Sequence, residues 1–215
     1  MEIVYHGHSC FRLTERGLAT VVTDPYNHEE VGHSPLKLRA DIVTVSTQTP
    51  GHDNPEVVKN KSHTLTGPGE FEIGGVFITG VQTNGKTRSN LAIKRNTLFV
   101  FDYSGVTVAH LGDIRRVPSQ TEIEALGTVR IALVPVGGGD GLNAAKAAEV
   151  VSLLEPGLVI PMHYATPDSK LDLDPLGKFL KEMGLGTVEP IDSLKVSRSS
   201  VPDETRVVVL DYIHG

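Results

Sequence analysis

Apolar residues in the first half of the chain fall in short runs bounded by glycine and polar turn residues, the pattern of β-strands. Ile3-Val4-Tyr5 and Cys10-Phe11-Arg12-Leu13 flank Gly7 and predict a hairpin, and Ala19 to Thr23 and Asp41 to Val45 predict buried strands. Gly75 to Thr79, Thr97 to Phe101 and Val106 to His110 continue the rhythm, with Asp102-Tyr103-Ser104-Gly105 as the turn between the last two. A meander is the simplest arrangement of this half. From Ser119 onward the period changes. Ser119-Gln120-Thr121-Glu122 is a capping box that opens a short helix, and Ile131 to Val136 is a buried strand. Asn143 to Glu155 carries an apolar stripe at Ala147, Val150, Val151 and Leu154, and Pro156-Gly157 ends that helix before the strand Leu158-Val159-Ile160. Pro175 to Met183 predicts another helix, and Arg206 to Leu210 a strand added late to a sheet. The sequence contains no repeat, linker or low-complexity tract, so a single domain over residues 1–215 with a mixed α/β fold is expected.

Composition narrows the function classes. Of 215 residues, 39% are hydrophobic and 21% charged, enough for one sizeable core. A net charge of -6 supplies no basic surplus for a nucleic-acid backbone, so no nucleic-acid partner is expected. No segment approaches the roughly 20 apolar residues that span a bilayer, and the N-terminus lacks a basic region followed by an apolar core, which predicts a soluble cytoplasmic protein without a membrane partner. Cys10 is the single cysteine; it excludes an intramolecular disulfide and a thiolate-rich zinc site, so any metal must be held by histidine and carboxylate.

Chemistry concentrates in four segments: Thr47-Gln48-Thr49-Pro50-Gly51-His52, Val22-Thr23-Asp24-Pro25, His110-Leu111-Gly112-Asp113 and Ile160-Pro161-Met162-His163-Tyr164. Together with Gly7-His8-Ser9, Gly67-Pro68-Gly69-Glu70 and Pro135-Val136-Gly137-Gly138, their order and spacing resemble the metallo-β-lactamase-fold hydrolases, in particular the small ascorbate-lactonase-like branch, over nearly the whole chain. The resemblance implies a four-layer αββα sandwich of two mixed β-sheets, with two adjacent metal sites at one edge. It also implies departures from the family motif HxHxDH. The two leading histidines fall on Thr47 and Thr49, the aspartate falls on Gly51, and only the last histidine remains, as His52. The following histidine of the family belongs to a loop that here reads Val81-Gln82-Thr83-Asn84-Gly85-Lys86, which removes one metal site. Asp113 matches the bridging aspartate and His163 the last histidine, so His52, Asp113 and His163 are expected to hold one divalent ion. Two histidines and a carboxylate with an open fourth position suit zinc, and also manganese, iron or nickel.

Other residues receive expectations of their own. Asp24 matches a carboxylate that orients a ligand-bearing loop, a role it can keep without metal by capping that loop. Strand alternation would place His6, His8 and Cys10 on one face, where packing competes with a place for His8 at the pocket. Cys10 is expected to be a small buried hydrophobe, since nothing beyond His6 and His8 would stabilise its thiolate. Arg115 and Arg116 follow Asp113 and are candidates for guanidinium groups at the pocket mouth, against the alternative of a pair capping a helix. Gly137 to Gly141 lacks the spacing of a phosphate loop and is expected to form a tight loop at the active edge. The function implied is a mononuclear metal-dependent hydrolase of a small ester, lactone or phosphoester. The alternatives are a metal-free pseudoenzyme, with Thr47, Thr49 and Gln48 lining a pocket for a small anionic ligand, and a homo-oligomeric assembly subunit.

Overall fold

The computed structural model describes residues 1–83 and 95–213. In chain order its strands are β1 (Glu2–Tyr5), β2 (Phe11–Thr14), β3 (Val21–Thr23), β4 (Leu38–Arg39), β5 (Ile42–Thr44), β6 (Val58–Lys59), β7 (His63–Leu65), β8 (Gly69–Ile73), β9 (Val76–Thr83), β10 (Asn96–Tyr103), β11 (Val106–His110), β12 (Ile131–Pro135), β13 (Leu158–Met162), β14 (Leu194–Lys195) and β15 (Arg206–Val207). The helices are α1 (His28–Val31), α2 (Gln120–Leu126), α3 (Ala144–Leu154) and α4 (Leu176–Glu182).

Two mixed sheets carry the fold. The first has the order β14-β1-β2-β3-β5-β7 and the second β15-β13-β12-β11-β10-β9-β8, while β4 and β6 form a small separate pair. The expected meander is realised from β8 to β11, which are antiparallel neighbours, with the Asp102 carboxylate accepting from the Gly105 amide in the turn. The first sheet departs from it: β3, β5 and β7 run parallel, joined by crossovers that hold α1, β4 and β6. Parallel neighbours need such connections, and the polar residues within β7 and β8, His63 and Thr64 in one and Glu70 and Glu72 in the other, hide these two strands from the hydrophobic pattern. In the second sheet β11, β12, β13 and β15 are parallel, so the tail strand does join a sheet edge.

Period-two alternation sends the two faces of the first sheet into different cores. Ile3, Tyr5, Phe11, Leu13, Val21 and Ile42 share one continuous cluster with Phe99, Phe101 and Val108 of the second sheet. The Tyr103 hydroxyl spans the gap and donates to the carbonyls of Leu13 and Ala19. Val22 and Val43, the alternate residues, point the other way into a smaller cluster with Tyr26, Val31, Leu38 and Val58. The outer cover of this sheet is therefore α1 and its flanking loops. Every residue of β12 and β13 is buried, as fits strands covered on both faces, and α3 adds Ala147, Val150 and Val151 to their side.

Helix ends agree with the sequence. Ser119 and Glu122 form the reciprocal capping box at α2, and Asn143 caps α3 through the Lys146 amide. Ser119→Ala is expected to lower stability by about 1 kcal/mol in chemical denaturation, because it orphans an amide at the first turn.

Candidate metal centre

The loops after β1, β3, β5, β11, β12 and β13 converge at one edge of the two sheets, and each delivers a residue singled out in the sequence. After β1 the chain does not stay extended. Gly7 (φ 94) and His8 (φ 55) enter left-handed backbone, closed by bonds from the His6 amide to the Cys10 carbonyl and from the Cys10 amide to the Gly7 carbonyl. His8 is thus not on a strand face with His6 and Cys10. The turn carries its imidazole to the cavity, while Cys10 is buried as a small core residue. Asp24 (φ 39) and His163 (φ 53) are left-handed as well. Non-glycine residues take this conformation at a cost and persist where the surroundings fix them. Here the His163 amide donates to the His8 carbonyl at 2.7 Å, linking the two sheets, and the Tyr5 hydroxyl donates to that same carbonyl at 2.9 Å.

Asp24 caps the loop after β5. Its carboxylate accepts from the Ser46 amide (2.7 Å) and the Ser46 hydroxyl (2.5 Å), and complete burial pushes its pKa well above the usual carboxylate range despite those bonds. The capped loop runs through Thr47 and Thr49 to His52. Thr49 Oγ1 lies 2.9 Å from His52 Nδ1, and Ser9 Oγ lies 3.3 Å from His52 Nε2. Thr47 is buried and lines a neighbouring cavity on the other side of this loop. Asn96 supports the loop after β11: its Oδ1 accepts from the Asp113 amide (2.9 Å) and its Nδ2 donates to the Leu111 carbonyl (3.1 Å).

His8, His52 and His163 come together. Their candidate ligand atoms all lie within 4.8 Å of one another, and all three side chains are buried. The ring centroids are 4.2 Å apart for His8 and His163, 4.8 Å for His8 and His52 and 5.4 Å for His52 and His163. Gly51 makes this packing possible, since a Cβ there would stand 2.7 Å from His8 Nε2. The imidazole of His8 occupies the space beside the motif position where the family carries a carboxylate. Asp113, expected as the third member of the triad, lines the same cavity but does not belong to this tight cluster; its Oδ2 accepts from Arg115 at 3.0 Å. The Arg116 guanidinium turns away from the cavity to Glu122 (2.6 and 2.8 Å), so it serves the start of α2, and the guanidinium at the cavity is that of Arg115. Asp53 is exposed and lies outside the cluster. The position of the lost histidine near Gly85 lies outside the described residues.

The cavity measures about 310 Å³, with His8, His52 and Asp113 buried, His163 half-buried as a residue, and Glu30, Asp140 and Asp172 exposed. Gly138, Gly139 and Gly141 line one wall, the tight loop expected there; Gly137 packs so closely that a Cβ would meet the His163 carbonyl at 2.2 Å. The sequence leaves His8 between a strand face and the pocket, and carries no signal of its own for the roles of Ser9, Ser46 and Asn96. The available signal was the pairing of Gly7-His8-Ser9 with a missing side chain at position 51.

The donor set fits a divalent ion. Burial, and then the neighbouring imidazoles of His163 and His52, hold the His8 pKa well below the ordinary value; burial lowers that of His163, opposed by Asp113 and aided by Arg115. Both rings are therefore kept neutral, the form that binds metal. His8 Nε2 is also a buried nitrogen with no hydrogen-bond partner, the kind of atom that a bound ion would satisfy.

His110, just before this edge, is fully buried with Nε2 2.8 Å from the Ser9 carbonyl, and burial brings its pKa down to about 4 even though that hydrogen bond opposes the shift. On acidification the unfolded chain takes up this proton first, so the contribution of neutral His110 to stability is complete above about pH 6.5 and is lost toward pH 4. Between pH 7 and pH 5 the protein is expected to lose about 2 kcal/mol more stability than His110→Gln in urea titrations. Asp24 acts in the opposite sense, but equally in both proteins, and cancels in the difference.

Two mixed sheets with strand-end loops that gather histidines and a carboxylate at one edge define a metallo-β-lactamase fold. The chain belongs to the Beta-lactamase superfamily domain family, which it matches over residues 2–163. It is similar to a proposed zinc-dependent hydrolase of the metallo-β-lactamase superfamily from Thermotoga maritima, with a TM-score of 0.79, 34% identity and 97% of each chain covered. It also resembles a UPF0173 protein of Pyrococcus furiosus, at 28% identity over 77% of this chain and 84% of that protein. A UPF0173 metal-dependent hydrolase of Natranaerobius thermophilus is 24% identical over 92% of this chain and the whole of that protein. These likenesses place the chain among metallo-β-lactamase-fold proteins of the metal-dependent hydrolase family.

Proposed function

We propose that the protein is a mononuclear metal-dependent hydrolase of a small ester, lactone or phosphoester, with one divalent ion held by His8, His52 and His163. The observation that carries this reading is the buried cluster itself: three imidazoles whose candidate ligand atoms lie within 4.8 Å of one another, one of them with a nitrogen that no protein atom satisfies. Three histidines with a fourth position open to solvent form an accepted catalytic arrangement for zinc, and manganese, iron and nickel accept the same donors. Such an ion lowers the pKa of a water in contact with it toward neutrality and polarises the oxygen of a carbonyl or phosphoryl group.

The remaining roles belong to the chain. One of the hydroxyls of Thr49 and Ser9 holds the His52 ring while the other yields its nitrogen to the ion, and Asp24 holds the loop that carries it through Ser46. Asp113, at the cavity wall and oriented by Arg115 and Asn96, is the carboxylate placed to receive a proton from an attacking water. One observation favours a second reading: both ring nitrogens of His52 already have hydroxyl partners within the protein, as suits a metal-free pocket that binds a small ligand.

Metal stoichiometry separates the two. Protein dialysed against trace zinc, manganese, iron and nickel is expected to retain about one ion per chain and to hydrolyse a member of an ester, lactone and phosphoester panel. No retained ion would leave the metal-free reading. In the same assay Asp113→Ala is expected to keep its metal and lose turnover, by about a hundredfold or more for a general base.

A further inference from the structure

The wall of the cavity has a charge pattern that the histidine cluster does not explain. Four carboxylates, of Glu30, Asp113, Asp140 and Asp172, face a single guanidinium, that of Arg115. Arg115 is already divided between Asp113 (3.0 Å) and Asp140 (3.2 Å). Glu30 and Asp172 are exposed at the mouth, and among the described residues neither has an ion-pair partner. The Lys170 ammonium donates to the Glu29 carbonyl at 2.8 Å and is not part of the cavity wall. Even with a divalent ion at the histidines, the wall keeps a net negative charge.

Glu30 and Asp172 also sit on one structural unit. The Lys170 amide donates to the Val31 carbonyl at 2.9 Å, and Gly32 packs so closely on residue 168 that a Cβ would meet the Asp168 carbonyl at 2.1 Å. This docking sets Glu30 and Val31 beside Leu171, Asp172 and Leu173 as one side of the cavity, an apolar surface edged by two carboxylates. Such a surface suits an alkylammonium group: methylene or methyl groups cover the half-buried Leu171 and Leu173 while the positive charge faces the acids.

We infer that this cavity takes a molecule carrying a cationic group, bound against Glu30 and Asp172 with its remaining portion directed to the histidines. As a statement about substrate, an amine-bearing ester or lactone rather than a phosphorylated or carboxylated one, it rests on the hydrolase reading. It reverses the small anionic ligand of the metal-free alternative, since the Arg115 guanidinium is taken by carboxylates and that of Arg116 leaves the cavity.

The test separates charge from turnover. The zinc-treated and the chelator-treated protein are titrated calorimetrically at low ionic strength with choline, with its neutral isostere 3,3-dimethylbutan-1-ol and with the anion 3,3-dimethylbutanoate. Choline is expected to bind about tenfold more tightly than the neutral isostere, with the anion weakest, and the preference is expected to fall below about threefold in Glu30→Gln/Asp172→Asn and at high salt. Equal or tighter binding of the anion, or a choline preference unchanged in the double variant, would overturn the proposal. If the preference holds but the zinc-loaded protein cleaves neither the choline ester nor its neutral counterpart, the cationic pocket stands and the hydrolase reading falls.

Discussion

His8→Ala is expected to reduce retained metal from about one ion per chain to near zero, with at least a hundredfold loss of affinity, because it removes one of three donors from a site with no spare ligand in the cluster. Plasma mass spectrometry on dialysed protein reads the stoichiometry, and competition with a chromogenic chelator reads the affinity. The contrast with Asp113→Ala is decisive. Full metal retention by His8→Ala, together with loss in Asp113→Ala, would restore the triad of His52, Asp113 and His163 and remove His8 from the centre. The change is also expected to leave the fold intact, since the backbone bonds that position residue 8 run through its carbonyl and its neighbours.

Gly51→Ala is expected to be nearly as damaging to metal binding and more damaging to the fold. The added methyl would stand 2.7 Å from His8 Nε2, and His8 has little room to retreat between His52, His163 and Tyr26. Overpacking of this kind costs about 1–3 kcal/mol, so the variant should unfold at lower urea and lose most of its metal. Unchanged metal content in a folded Gly51→Ala protein would show that His8 does not need the space that glycine leaves. Combining Gly51→Ala with His8→Ala should recover most of the stability but none of the metal, the signature of two positions competing for one volume.

The two sheets were readable because their strands are apolar runs with turn residues between them, and the boundaries of β11 and of α3 fall within a residue of the pattern. The parts that escaped are governed by tertiary contact. Strands β4, β6 and β14 are two residues long, too short for any period to register. Alternation carried through Gly7 puts a strand face in competition with the pocket for His8; a left-handed turn at Gly7 and His8 decides for the pocket. Asp113 and His163 stand at the cavity as their spacing implied, yet no spacing shows that Arg115 ties up Asp113 or that Arg116 prefers Glu122. The clearest clue was an absence, the missing side chain at position 51. Its meaning depends on a residue more than forty positions earlier, which a single sequence does not connect to it.

The left-handed backbone at His8, Asp24 and His163 bears on how this protein can change. At His8 and His163 glycine would relax the main chain, so a search for thermal stability alone would tend to remove two imidazoles, whereas Asp24 is held by its bonds to Ser46. The edge of the sandwich is therefore the place where robustness and chemistry pull in opposite directions. A lineage under pressure only to stay folded would be expected to lose the site from these residues first, while keeping the strands beneath it.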